Sequence, residues 1–324
     1  MHYLSFVAIC LLFGSNFFLM SQSLQAFGPA VVGAGRVFGA WAVVTLLWWL
    51  TARGARLPRR AWLPALFIGL LANGYPYLMQ PYLIREAEAA GMGGGHSFFG
   101  VMVAFTPLLT ILVSIPMLGV KPTWRQLVGV VVGLGFMFML MLDGGKIGVT
   151  PAMLVMAVSV PLSYAVANTY LRRTLSDAPA VPLTAMMLTA PALLLTPLAI
   201  DERLATPLHL EGPAEPTNFW GALAAILMLG VTGTGLTMWL FVRLVQARGP
   251  LFAGMVTYVV PLVALAWGVF DGERILPRQM VAIAGVLAMV ALVQFGGPKP
   301  TQSPPPPKAP EAKPTRAAQV ESKV

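Results

Sequence analysis

The sequence predicts an all-α integral membrane protein of ten transmembrane helices, arranged as two inverted five-helix repeats. Three observations predict it. Hydrophobic residues make up 57% of the 324 positions and charged residues only 10%, whereas a soluble domain carries about 25% charged residues to dress its surface. Apolar segments dominate and period-2 alternation is weak, which selects spanning helices over barrel strands. The third is an internal echo. Gly95, Gly100, Pro107 and Leu108 recur at one constant offset as Gly249, Gly254, Pro261 and Leu262, and Arg125-Gln126 recurs as Arg278-Gln279.

The spans read 3–20, 30–51, 61–84, 96–118, 124–142, 149–171, 180–200, 219–242, 250–270 and 279–296. The first lacks the basic n-region of a signal peptide, carrying only His2, and no small-residue cleavage site follows, so a retained helix is expected. Its Cys10 reads as a small buried hydrophobe. If the N-terminus is cytoplasmic, fifteen Lys and Arg fall on inside segments, including Arg53, Arg59, Arg172 and the tail lysines. Five fall outside: Arg85, Lys146, Arg203, Arg274 and Arg278. That split places both termini in the cytoplasm of a multi-pass cell (inner or plasma) membrane protein. It also turns the formal charge of +9 into an orientation signal rather than a nucleic-acid footprint.

Five spans per repeat force the second to enter from the opposite side, giving an inverted pair: 1–143 and 144–296. Loop 201–218 reads as a flexible external cap. The segment 297–324, with its run Pro304 to Pro307, reads as a disordered Pro/Lys-rich cytoplasmic tail.

Within the spans, Pro107 and Pro261 each free the carbonyl four residues earlier, at Val103 and Thr257. Proline-interrupted segments at matching places in two halves point to a transporter's binding region. Gly35 and Gly39, like Gly129 and Gly133, read as close-packing pairs. Arg36 is the one charge well inside a span. It either snorkels to the outer headgroups or serves a function, with Glu86 or Glu88 at the same level as a partner. Asn73, Tyr77 and Gln80 share one face of the third span at i, i+4 and i+7, and kinks and aromatics beside them suit a cavity wall. Ser159, Ser163, Tyr164 and Asn168 do the same in the sixth, where the serines alone suit interhelical bonds. Thr234, Thr237 and Trp239 are weaker candidates, Asn16 is an isolated polar spot, and His96 reads as interfacial. The three histidines are scattered and no span holds an acid in its middle, so no metal site, cofactor or catalytic constellation is expected.

The ordered set Gly14-Ser15-Asn16, Arg36 and Gly95–Pro107–Arg125-Gln126–Gly129, with its echo Gly249–Pro261–Glu273–Arg278-Gln279–Gly285, resembles the EamA family of the drug/metabolite transporter superfamily. The resemblance covers residues 3–296. It implies a basket in which spans one to four and six to nine surround a central cavity, with spans five and ten as outer supports. It also implies an exporter or permease for amino acids, other metabolites or drugs. The sequence departs from the family twice. Gly119-Val120-Lys121 stands where a Glu often follows the fourth span, and no acid occupies the first span, so the proton exchange of the small four-helix multidrug relatives does not carry over.

The expected function is secondary transport of a small polar or amphipathic metabolite by alternating access. The candidate walls are Asn16, Arg36, Asn73, Tyr77, Gln80, Ser163, Asn168, Thr257 and Tyr258, and Pro107 and Pro261 are the kinks. The expected partners are that solute and the lipid bilayer, with a homodimer allowed. Two rivals stand beside this reading. One is a membrane-embedded enzyme on lipid-linked substrates, for which Glu86, Glu88 and His96 offer the only cluster. The other is a non-transporting scaffold acting through the tail.

Overall fold

The computed structural model describes residues 2–51, 53–91, 99, 102–119, 123–145, 150–249, 253 and 256–270, with scattered positions between 277 and 292. Every described element is helical. Helices α1 (His2–Leu24) and α2 (Pro29–Thr51) are joined by a tight turn. Helix α3 (Trp62–Gly69) runs through a π-helical turn, Leu70–Gly74, into α4 (Tyr75–Ala89). A 3₁₀ turn, Val103–Phe105, opens α5 (Thr106–Leu118), and α6 (Trp124–Gly145) follows. The second half brings α7 (Pro151–Thr174), α8 (Ala180–Ile200) and the short α9 (Glu202–Ala205). Then α10 (Phe219–Gly230) passes through a second π-helical turn, Val231–Leu236, into α11 (Thr237–Arg248), and α12 (Val256–Phe270) is the last described helix.

Among the described residues, five stretches are long and apolar enough to cross a bilayer: Ser5–Leu24, Pro29–Thr51, Pro151–Thr174, Ala180–Ile200 and Phe219–Arg248. Helix α5 is apolar but shorter. The tenth expected span and the tail lie outside the described residues, apart from those scattered positions. The outward faces carry large apolar side chains such as Leu63, Val155, Leu193 and Phe270. That surface is at home only against hydrocarbon. Trp62, Trp124 and Trp220 stand exposed at helix starts, where indoles anchor a span at the membrane interface.

Contacts between the repeats come in matched pairs. The two second helices, α2 and α8, pack against each other; α1 packs on α12 as α7 packs on α5; α3 packs on α8 as α10 packs on α2. Glycine makes these crossings close. A Cβ on Gly230 would lie 3.2 Å from the Gly35 carbonyl oxygen and 3.3 Å from Gly39 Cα, so Gly35 and Gly39 are packing residues, as their spacing predicts. Gly285 lies against the Phe136 ring, joining α6 to the tenth segment.

Loop 201–218 is not a loose cap. Ala30 N–H donates to the Leu210 carbonyl and Thr217 N–H to that of Gln25. The Arg85 guanidinium donates to the carbonyls of His209 and Glu211. These backbone bonds, and a small apolar cluster of Ala30, Ala205 and Leu210, fix the loop across one end of the bundle.

Candidate functional site

The two π-helical turns occupy corresponding places, the middle of the third helix of each repeat. A wide turn breaks the regular i→i−4 ladder and leaves carbonyls that need another donor in hydrocarbon. In both halves that donor comes from the first helix of the opposite repeat. Asn16 Nδ2, on α1, donates to the Gly233 carbonyl at 2.9 Å. Ser163 Oγ, on α7, donates to the Leu71 carbonyl at 2.6 Å. The Thr237 hydroxyl closes a further carbonyl, that of Thr232, at 2.7 Å.

Between the halves lies a cavity enclosing about 580 Å³ of empty space, mouth included. Phe13, Asn16 and Phe17 of α1, Arg36 of α2 and Tyr77 and Gln80 of α4 wall one part of it. Ala72 of the first π-helical turn, Val103 and Thr106 at the start of α5, Tyr164 and Asn168 of α7, Met238 and Phe241 of α11 and Val260 of α12 wall the rest. Its polar end is organised by Arg36, which is 3% exposed. Arg36 Nε donates to Thr234 Oγ1 at 2.8 Å, and Nη1 donates to Gln80 Oε1 at 3.2 Å. Nη1 also approaches Met20 Sδ at 3.6 Å. The guanidinium carbon sits 3.6 Å from the centroid of the Tyr77 ring, a close cation–π contact. Gln80 Nε2 donates in turn to the Tyr164 hydroxyl at 3.2 Å. Placing such a charge in the membrane interior costs on the order of 3 kcal/mol even on a lenient insertion scale. Snorkelling is therefore not what Arg36 does. It points inward and ties α2 to both the second π-helical turn and α4.

Glu86 and Glu88 are not its partners. Glu86 pairs with the neighbouring Arg85 at 3.1 Å, and Glu88 accepts from Ser21 at 2.7 Å. By sequence both acids share the depth of Arg36 in the membrane, but its side chain reaches across the bundle to Thr234 and Gln80 instead.

Of the sequence candidates, Asn16, Arg36, Tyr77, Gln80 and Asn168 meet at the cavity. Asn73 is fully buried but does not line it, and neither amide atom has a partner among the described residues. The π-helical turn is the reason. Its extra residue per turn rotates Asn73 off the face that Tyr77 and Gln80 share. Ser163 is spent on the Leu71 carbonyl, an interhelical bond rather than a wall. Pro107 is buried at the start of α5, and the carbonyl it frees at Val103 accepts from Thr106 Oγ1 at 2.7 Å, so it is not left open to a guest. The side chains of Thr257, Tyr258 and Pro261, like His96, lie outside the described residues. Sequence reasoning missed Phe13, Phe17, Thr106, Met238 and Phe241. The first two flank Asn16 on one helical face, which is the only signal available.

The chain matches the EamA-like transporter family over residues 1–142 and again over 151–295, two repeats end to end. No match was found among curated proteins. A solved crystal structure with 19% sequence identity superposes with a TM-score of 0.65, covering 91% of this chain and 97% of its own, which supports the fold. The matched pair of repeats makes this chain a member of the EamA-like transporter family.

Proposed function

We propose that the chain is a ten-helix secondary transporter that moves a small polar or amphipathic solute across a cell membrane by alternating access. The observation that carries this reading is the cavity, because its walls come from both repeats and any rocking between them changes which end is open. At the end bearing loop 201–218, the halves meet through hydrogen bonds of Thr217 and Asn218 to Gln25, Ala30 to Leu210 and Arg85 to the loop carbonyls, with a small apolar contact of Ala30 on Ala205 and Leu210 and of Phe27 on Phe219. A seal of that kind can break and re-form without unpacking a helix. Family membership supports transport rather than catalysis. In this reading both termini are cytoplasmic, and reporter fusions at each end test that placement.

Purified protein reconstituted into liposomes and supplied with a mixed metabolite panel, under imposed pH and sodium gradients, tests the function. Gradient-dependent uptake of any solute supports it and identifies the coupling. No flux under any gradient contradicts it.

A further inference from the structure

We propose that the solute carries a single carboxylate on an apolar body, and that Arg36 is the group that binds the carboxylate. The proposal rests on the transport reading above and names its substrate class. Arg36 is the one charged side chain among the described cavity walls, and no described carboxylate pairs with it. Its partners are neutral: a hydroxyl, an amide oxygen, a thioether and an aromatic face. Nε and Nη1 each reach a different neutral group, and none of these partners takes two parallel N–H groups at once, as a carboxylate would. A neutral glutamine could tie α2 to its neighbours without a buried charge. Buried charges persist where something neutralises them. Here the missing counter-charge fits the bound solute.

A guanidinium presents two parallel N–H groups that match the two oxygens of a carboxylate. One such cation balances a monoanion and would leave a doubly charged phosphate half-compensated. Beyond this polar end the walls turn apolar, with Phe13, Phe17, Met238 and Phe241, which suits a hydrocarbon or aromatic body. Asn16 borders the same cavity, with its Nδ2 on the Gly233 carbonyl and its buried Oδ1 without a partner among the described residues.

The test is the reconstituted protein with matched pairs differing only in charge: N-acetylleucine with its amide, benzoylglycine with its amide, and lactate with lactamide. Vesicle contents are read by mass spectrometry under the gradients named above. At least one carboxylate is expected to accumulate about tenfold or more over its amide, the scale of a lost charge-assisted hydrogen bond. Arg36→Gln should remove that preference and Arg36→Lys should retain part of it. Equal uptake of carboxylate and amide, or preference for the amide, overturns the assignment while leaving transport intact. Unchanged carboxylate preference in folded Arg36→Gln overturns the role of Arg36. Should that variant fail to fold, the wild-type carboxylate-to-amide ratio decides alone. No uptake of any pair member, alongside no flux of the broader panel, overturns both readings.

Discussion

A methyl group at Gly69 should drive the two halves apart. Gly69 ends α3 where it crosses α8, and a Cβ there would sit 1.8 Å from the Met187 carbonyl oxygen and 2.6 Å from its carbon. Ordinary carbon–oxygen contact needs roughly 3.4 Å, so one helix must shift by about 1.5 Å, and the obstacle is backbone that cannot rotate away. Overpacking by a methylene costs typically 1–3 kcal/mol when side chains absorb it. Here the helix itself must move, so Gly69→Ala is expected to cost about 3 kcal/mol or more. The gain of up to about 1 kcal/mol from better helix propensity offsets only part of that. Gly135→Ala is the control, because nothing lies within 4 Å of its Cβ position. Thermal unfolding in detergent should place Gly69→Ala roughly 5 °C or more below the parent, with Gly135→Ala at or above it. The reasoning is refuted if Gly69→Ala melts with the parent, or if both variants fall together.

Other expectations follow from the site. Asn16→Ala removes the donor to the Gly233 carbonyl, and should lower stability by about 0.6–2 kcal/mol, measured in the same unfolding assay. Gly233→Ala should share that defect, since its Cβ would lie 2.1 Å from Asn16 Oδ1, and the double variant should be less than additive. Cys10 is 2% exposed, so a maleimide dye should leave it unlabelled in the folded protein and label it after denaturation. Deleting residues 297–324 should preserve flux; loss of flux in a folded truncation would contradict the reading of the tail as a solvated appendage.

Much of the fold was legible because hydrocarbon imposes one pattern. The apolar runs located the described helices to within a few residues, and the misses share a cause. Helices α7 and α11 continue to Thr174 and Arg248, past the last apolar turn, because a helix satisfies its own backbone in the headgroup region as well as in lipid. The π-helical turns carry no sequence mark: Leu70–Gly74 and Val231–Leu236 read as ordinary apolar helix, and missing the first misplaced Asn73. The proline echo was visible, but its consequence was not, although the hydroxyl that closes the Val103 carbonyl belongs to the residue just before Pro107. Phe13, Phe17 and Phe241 were illegible for a different reason. An aromatic ring facing a cavity and one facing lipid have the same composition, and only the bundle distinguishes them.

The central claim is that the cavity is served by two repeats that part at the end spanned by loop 201–218. The most direct measurement joins them there. In a Cys10→Ser background, Gln25→Cys and Asn218→Cys replace a pair whose side chains meet at 3.3 Å across the repeats, and a short bis-methanethiosulfonate linker bridges the thiols. Alternating access predicts that solute flux stops when the bridge forms and returns when a reductant cleaves it, with neither single-cysteine variant affected. Undiminished flux with the bridge in place would contradict the account.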